Sequence, residues 1–204
     1  MIFIDEFGTH LGMTRRYARA PKGKRACGKA PCNTDPMITL VMGLSLWGPV
    51  APLAFEGAMD GIIFETYIRE GLAPHLLAGD VVIVDGLGAH RVRGVRDALR
   101  ARGVCFRFLP PYSPDLSPVE NCGSKVKEAV RAEQPRTVQA VYDALGRAIG
   151  KVTPRDAEGW FFHAGYLRGR RCPTRYRPRL PCRRSSHRNR SRLNRRPTGA
   201  TRRS

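Results

Sequence analysis

Three carboxylates stand where an apolar run stops or where a helix begins. Asp5 follows the run 2–4, Asp85 follows the β-branched run 81–84, and Glu120 falls in the first turn of a helix that is predicted after a proline-rich loop. Carboxylate oxygens suit a hard divalent cation that keeps water and phosphate oxygens as its other ligands. Two such ions about 3.5–4 Å apart can hold the attacking and leaving oxygens of a phosphoryl transfer. The three side chains can do this chemistry only if the fold brings them together.

Each of these carboxylates also has a purely structural explanation. Asp5 and Asp85 can be ordinary polar residues at strand ends. Glu120 occupies the third helical position after Ser117, with Pro118 at the first, which is the arrangement of a capping box. In a capping box the Glu side chain bonds a backbone N–H group at the start of the helix, so capping and cation binding compete for the same side chain.

The apolar pattern predicts an α/β domain with a mixed sheet flanked by helices. The run from Asp80 to Asp85 lacks alternation, as is typical of a strand buried on both faces, and Ile2–Ile4 predicts a buried strand that ends at Asp5. The order of elements is three strands, a helix, a strand, a helix, a strand and then helices. Further strands are predicted at 37–46, 50–55 and 104–108, and helices at 60–77, 89–102, after Pro118, at 138–149 and at 154–162.

Positive charge is distributed unevenly over the 204 residues, whose net charge is +19. Residues 167–204 contain 15 of the 36 basic residues and none of the 17 acidic ones, a composition that cannot bury a core. We therefore predict a catalytic domain at 1–166, with net charge +4, and a disordered Arg-rich tail at 167–204. The tail fits either a DNA-binding arm or the translation of a shifted reading frame.

A second basic cluster lies close to Asp5 in sequence. The segment 15–33 is rich in Arg, Lys, Gly and Pro and shows little periodicity, which predicts a loop. Basic clusters are common on solvated surfaces, but beside an active site they can contact DNA. The candidate DNA-binding residues are Arg15, Arg16, Arg19, Lys22, Lys24 and Arg25.

The remaining composition argues for a cytoplasmic protein. No apolar run approaches the roughly 18 residues of a membrane span, and the sequence does not open with a secretory signal. The cysteines lack the spacing of a zinc site, and we expect them to be reduced thiols. They are Cys27, Cys32, Cys105, Cys122, Cys172 and Cys182.

The strings that carry the carboxylates resemble the motifs of a known enzyme family. Phe3–Glu6, Val84–His90 and Leu109–Asn121 are similar to the three carboxylate motifs of bacterial insertion-sequence transposases of the DDE superfamily, in the mariner-related branch called the insertion sequence 630 group. The 34 residues between Asp85 and Glu120 match the spacing of that branch. The resemblance extends to Tyr166 and so covers about four-fifths of the chain.

The resemblance implies a ribonuclease-H-like fold and a defined chemistry. Asp5, Asp85 and Glu120 would be the catalytic residues and would bind two Mg²⁺ or Mn²⁺ ions. These ions would activate water or a DNA 3′-hydroxyl to attack phosphodiesters at the ends of the element. We expect a nucleoid-associated protein whose partners are transposon-end and target DNA and a second copy of the chain. His90 and Asn121 can form hydrogen bonds near the site, although a surface or helix-capping role for His90 is equally open.

The chain departs from this family in three places. Met1 stands directly before the first catalytic strand, so the expected N-terminal helix-turn-helix would be missing through truncation or supplied by an upstream reading frame. Gly86 replaces the usual Asn. Cys122–Gly123 replaces a small residue followed by a bulky aromatic, which predicts a helix weakened by up to about 1 kcal/mol and an unfilled apolar socket.

Three functions remain open on the sequence alone. The first is a transposase catalytic domain that cleaves and transfers DNA strands. The second is a catalytically inactive fragment that acts only through DNA binding or regulation. The third is another ribonuclease-H-like nuclease, which cuts RNA in hybrids or DNA junctions, but the string Pro110–Asp115 does not support it.

Overall fold

The computed structural model describes residues 1–32 and 34–167, and the predicted tail lies outside the described residues apart from Leu167. The sheet has the order β3-β2-β1-β4-β5, with antiparallel pairing on the β2 side of β1 and parallel pairing on the β4 side. The predicted mixed sheet is therefore confirmed, and β1 is its central strand. The strands are β1 Ile2–Thr9, β2 Ile38–Ser45, β3 Gly48–Glu56, β4 Val81–Val84 and β5 Cys105–Phe108.

Helices cover both faces of this sheet. The side chain of Asp60 accepts a hydrogen bond from the Ile63 amide and so caps α1. The α-helices are α1 Gly61–Thr66, α2 Arg93–Ala101, α3 Pro118–Glu133, α4 Val138–Gly150 and α5 Pro154–His163. A π-helical turn at Tyr67–Leu72 and 3₁₀ turns at Ala73–His75, Gly88–Arg91 and Pro114–Leu116 complete the helical segments.

Alternate residues of β1 point into two separate apolar cores. Phe3 and Phe7 pack with buried residues of α3, α4 and α5, whereas Ile2 and Ile4 pack with α1, the π-helical turn and α2. Because successive strand residues face opposite sides of a sheet, Asp5 shares the α3 face with Phe3 and Phe7. By the same alternation, Glu6 shares the α2 face with Ile4.

Some predicted elements have different bounds in the structure. The first strand does not end at Asp5 but continues to Thr9, because β2 pairs with it residue by residue as far as Ile38. The helix predicted at 89–102 is divided into a 3₁₀ turn and α2, since Val92 between them has an extended backbone. Asp5 therefore lies in the middle of a strand, where its position is fixed from both sides.

The cysteines differ in part from expectation. Cys27, Cys32 and Cys122 are free thiols, but Cys105 is disulfide-bonded, so the expectation of reduced thiols is wrong at that position. A spacing pattern alone does not reveal such a pairing. Cys172 and Cys182 lie outside the described residues. In the part of the chain that the structure describes, no helix is long and apolar enough to cross a membrane.

Candidate active site

Parallel pairing of β1 with β4 positions the first two carboxylates. Ile2 pairs with Val82 and Phe3 with Ile83. Continuing this register by two residues sets Asp5 beside Asp85, on strands about 4.8 Å apart. Because β4 ends at Val84, Asp85 is the first residue beyond the strand. Two carboxylates thus meet at the carboxyl end of β4, near the centre of the sheet.

The third carboxylate comes from the first turn of α3. Ser117 is the N-cap residue, but no side-chain hydrogen bond caps this helix, so the capping box considered as the alternative role of Glu120 does not form. The Glu120 amide donates a hydrogen bond of 3.2 Å to the Ser117 carbonyl. Its carboxylate is exposed, and within the described residues it has neither a hydrogen bond nor an ion pair. The Glu120 side chain is therefore available to bind a ligand.

A contact between Gly123 and Phe7 brings α3 close to β1. Gly123 is buried, and a Cβ atom there would come closer than 3.0 Å to three atoms of the Phe7 ring. Lys127 covers the same ring, with its Nζ 5.4 Å from the ring centroid. The expectation of an unfilled apolar socket is therefore wrong, because an aromatic ring from β1 fills it. Phe7 and Asp5 share one face of β1, so this contact also draws the start of α3 towards Asp5.

Asp5 is the carboxylate whose pKa is most affected by its surroundings in the site. Burial raises the pKa of Asp5 to about 8, and the negative charges of Glu120, Glu6 and Asp85 act in the same direction. A hydrogen bond of 2.8 Å from the Glu6 amide to Oδ1 opposes this increase. A cation among these carboxylates would favour their ionised forms, since a nearby opposite charge stabilises a carboxylate.

A buried histidine connects Asp85 to the opposite face of the sheet. His90 is 0% exposed and lies over the Phe64 ring at a centroid distance of 4.3 Å. Its Nε2 is 3.1 Å from Glu6 Oε2, and its Nδ1 is 2.6 Å from Asp85 Oδ1. The Nδ1 contact is a close charge contact and not an aligned hydrogen bond. His90 is therefore neither a surface nor a capping residue.

The three side chains of this network adjust one another's protonation. Burial opposes a charge on His90, but Asp85 and Glu6 outweigh it and raise the pKa of His90 to about 9. Burial likewise disfavours the charge on Asp85, yet His90 and the Leu87 amide hold the pKa of Asp85 below its usual range. Glu6 was missed in the sequence. The available signal was its position next to Asp5 in a strand, which turns it to the other face.

The carboxylate oxygens that remain can accept a cation. Asp5 and Asp85 use Oδ1 for their contacts, and their Oδ2 atoms make no hydrogen bond within the described residues. Among the described residues, no group of three or more His, Cys, Asp or Glu side chains is arranged to hold a metal ion. An open set of carboxylates fits Mg²⁺ or Mn²⁺, because such ions take most of their ligands from water and substrate phosphates.

The other candidate residues do not contact the carboxylates. Asn121 is exposed on α3, and its side chain makes no hydrogen bond within the described residues. The segment after β1 is anchored by Met13 in the core and by Arg136, which donates hydrogen bonds to the Leu11 and Met13 carbonyls. This segment follows the same end of β1 as the site. It carries the predicted basic cluster, whose members are all exposed and form no ion pair with another described residue: Arg15, Arg16, Arg19, Lys22, Lys24 and Arg25.

Comparison with known proteins relates this arrangement to transposases. Residues 1–141 match the family of DDE superfamily endonucleases. The Mos1 transposase paired-end complex with left transposon end has a TM-score of 0.63 at 16% identity, covering 80% of this chain and 51% of that chain. The catalytic domain of Mos1 mariner transposase has a TM-score of 0.55 at 15% identity, covering 80% and 76%. No curated protein matches this chain in sequence.

At these identities the likeness to Mos1 shows a shared fold. The chain spans about half the length of the transposase in the paired-end complex. The mixed sheet is that of ribonuclease-H-like transposase catalytic domains, as predicted. The family match covers more than two thirds of the 204 residues and includes Asp5, Asp85 and Glu120. The chain therefore belongs to the DDE superfamily endonucleases.

Proposed function

We propose that this chain is the catalytic part of a bacterial insertion-sequence transposase of the mariner-related insertion sequence 630 group. It cleaves DNA at the ends of the element and transfers the freed strand to target DNA, using Asp5, Asp85 and Glu120. The observation that supports this most strongly is the placement of Asp5 on β1, Asp85 at the end of β4 and Glu120 in the first turn of α3, each with a carboxylate oxygen that accepts no hydrogen bond from a described residue. The family match to an endonuclease supports the same reaction class.

The solved relatives support the partners in this proposal. They include a Mos1 transposase complex with left transposon end, a Mos1 strand transfer complex, and Mos1 mariner paired-end complexes with Mn and with Mg. We extend these descriptions to this chain. It acts on transposon-end and target DNA, with two Mg²⁺ or Mn²⁺ ions and with a second copy of itself. The exposed basic cluster at 15–25 then contacts DNA that flanks the cleaved bond.

Each residue has a defined part in the reaction. Asp5, Asp85 and Glu120 hold the ions, while His90 and the Leu87 amide fix the orientation of Asp85. When bound, such ions lower the pKa of water or a 3′-hydroxyl and stabilise the charge that develops on the phosphate. The attacking oxygen forms a bond to phosphorus as the bond to the leaving oxygen breaks. Glu6 acts indirectly, because it holds His90 from the other side.

The test is nicking of supercoiled DNA by the full chain with Mg²⁺ or Mn²⁺. Asp5→Ala, Asp85→Ala and Glu120→Ala should each lower the rate at least about a hundredfold, because metal-assisted stabilisation contributes several kcal/mol. Asp143→Ala is the matched control, since Asp143 is an exposed carboxylate of α4 whose hydrogen bond is to Gln139. Its nicking rate should equal that of the parent chain.

Other outcomes would favour the competing functions. Nicking that survives all three substitutions would exclude this site. A folded parent chain that binds DNA without cutting it would favour the inactive DNA-binding fragment. Preferential cutting of hybrids or junctions would favour a different ribonuclease-H-like nuclease. The filled socket at Gly123 removes one reason to regard the chain as inactive.

A further inference from the structure

A cleft at the outer edge of the sheet combines arginines with aromatic rings. It lies between α2 and the edge strand β5. Phe106 and Phe108 point towards the α2 face and pack edge to face at 5.0 Å between centroids. The arginine side chains around them are exposed. We call the following residues the arginine cleft: Arg91, Arg96, Arg100, Phe106, Arg107 and Phe108.

The positive charge of the arginine cleft is not neutralised within the described residues. None of its four arginines forms an ion pair there. The hydrogen bonds of the cleft arginines go to backbone carbonyls, from Arg91 to Gly86 and from Arg107 to Phe106. Asp97 is the only acidic residue of α2. Like charges held close together repel one another, so this surface favours a polyanionic ligand.

The aromatic ring of Phe108 holds two of these arginines in place. The guanidinium carbon of Arg91 is 5.8 Å from the ring centroid, and that of Arg96 is 5.4 Å. Contacts of this kind are attractive and restrict the guanidinium groups before a ligand binds. A guanidinium presents paired N–H donors that match two phosphate oxygens, and its flat face can stack on a base. Phosphates with adjacent bases are the ligand that fits this chemistry.

One end of the arginine cleft adjoins the two residues that flank Asp85 in sequence. Phe108 pairs with Val84, the residue before Asp85, and Arg91 binds the carbonyl of Gly86, the residue after it. Neighbouring strands are about 4.8 Å apart, and successive phosphates of one strand rise about 3.4 Å along a duplex. The cleft therefore lies within a few nucleotides of any phosphodiester that the carboxylates hold.

We propose that the arginine cleft binds the DNA strand next to the cleaved phosphodiester, with Arg96 and Arg100 on its phosphates. Phe108 supports the guanidinium groups and keeps them oriented. The location of the bound strand rests on the proposed function, whereas the binding itself does not. The basic cluster at 15–25 follows β1, the strand that carries Asp5, and supplies a second exposed positive segment for a DNA ligand.

The test measures DNA affinity of the full chain, without divalent cations, as a function of salt concentration. The slope of log Kobs against log salt concentration falls in magnitude by about 0.9 for each phosphate contact that is lost. The variant Arg96→Gln/Arg100→Gln should therefore have a slope smaller by about 2, measured by fluorescence anisotropy on a short duplex. The arginines of the segment 167–204 contribute equally to every variant, so the difference reports on the cleft.

The matched control removes the same charge elsewhere. Lys151→Gln/Arg155→Gln changes two exposed residues, one at the C-terminus of α4 and one in α5, and it should leave the slope unchanged. The proposal is overturned if the cleft variant keeps the parent slope or if both variants reduce it equally. The single variant Arg100→Gln, expected to reduce the slope by about 0.9, replaces the double variant if that one does not fold.

Nicking assays separate this proposal from the proposed function. If Asp85→Ala abolishes nicking while the cleft variant keeps the parent slope, the cleft proposal fails and the function stands. If the parent chain never nicks DNA but the cleft variant reduces the slope, the cleft binds DNA and the proposed function fails.

Discussion

Gly123 lies where any side chain on α3 would collide with the Phe7 ring of β1. Alanine is the better helix former by up to about 1 kcal/mol, but an added methyl group in a filled core costs about 1–3 kcal/mol. Because the Phe7 ring is buried between two elements, we expect the packing cost to dominate. Gly123→Ala should lower the free energy of unfolding by about 1 kcal/mol, measured by urea denaturation.

Two further variants test this explanation. Gly146→Ala in α4 should raise the free energy of unfolding by up to about 1 kcal/mol, because a Cβ there meets no atom within 4 Å. In Phe7→Ala/Gly123→Ala, the loss should be smaller than the sum of the two single losses, since the shortened side chain leaves room for the methyl group. Strict additivity would contradict the contact.

His90 is expected to act as a positioning residue for Asp85. His90→Gln removes the close contact with Asp85, and loss of such a supporting contact lowers metal affinity by about 10–100-fold. The measurement is Mn²⁺ binding to the full chain by electron paramagnetic resonance, together with nicking at rising Mn²⁺ concentration. A positioning role predicts that high Mn²⁺ restores part of the activity. His163→Gln, at the exposed end of α5, is the control and should bind Mn²⁺ like the parent chain.

The residue types and their spacing predicted the three candidate carboxylates but not the residues that contact and position them. Asp5 and Asp85 each follow an apolar run directly, and this local pattern is visible in the sequence alone. The contact from His90 to Glu6 joins residues 84 positions apart, and the contact from Gly123 to Phe7 joins different elements. Local patterns carry no information about such pairs, because they arise only when β1 is packed between its neighbours. The catalytic roles themselves stay a prediction.

At the level of elements, the first turn of α5 should make the free energy of unfolding depend on pH. Asp156 Oδ2 lies 2.6 Å from Lys125 Nζ and accepts hydrogen bonds from the Thr153 hydroxyl and amide. The contact with Lys125, followed by those with Thr153, lowers the pKa of Asp156 to about 2. The ionised form is therefore favoured in the folded state. This contribution is complete above the ordinary Asp pKa of about 3.9 and disappears as the pH falls towards 2.

Asp156→Asn should therefore lower the melting temperature at neutral pH, with a cost of about 1 kcal/mol as for other helix caps. The difference from the parent chain should shrink as the pH falls from 4 to about 2. Calorimetry at several pH values would measure it, with Asp143→Asn on α4 as a control. A difference that stayed constant down to that pH would contradict the assigned contacts.

The first and last residues of a strand or helix were predictable where a single pattern of apolar residues covers the whole element. The run 80–85 gave β4 almost to the residue, because a strand buried on both faces has no polar interruption. The extension of β1 to Thr9 was not predictable, since Glu6 and Gly8 disrupt the apolar pattern and β2 supplies the pairing. The helix predicted at 60–77 becomes α1, a π-helical turn and a 3₁₀ turn. Pro74, which has no N–H group, lies in the last of these turns and prevents a regular continuation.

For the whole molecule, divalent cations should act as a stabilising ligand. A ligand that binds only the folded state at 100 times its Kd adds about 2.7 kcal/mol to the free energy of unfolding. Mn²⁺ should therefore raise the melting temperature of the full chain, and a chelator should reverse the effect. Asp5→Ala and Asp85→Ala should show little change with Mn²⁺, whereas Asp143→Ala should respond like the parent chain. An equal shift in all variants would assign the effect to sites other than these carboxylates.

The class of fold could be predicted from the sequence, but the sheet order could not. Alternating strands and helices indicate a sheet covered on both faces. Nothing local specifies that β1 lies between β2 and β4, because burial of Phe3, Ile4 and Phe7 depends on the helices on the two faces and not on the neighbouring strands. The predicted tail lies outside the described residues, and its disorder stays a prediction.

The central place of β1 also sets the timing of assembly on the ribosome. β1 can pair with β2 once Ser45 has been added, but its other edge waits for β4, which ends at Val84. At 5–20 residues per second, translation from Ser45 to Val84 takes roughly 2–8 s. Throughout that interval Asp5 has no Asp85 beside it. A growing chain therefore holds an exposed strand edge on β1, and the candidate carboxylates cannot come together before most of the sheet exists.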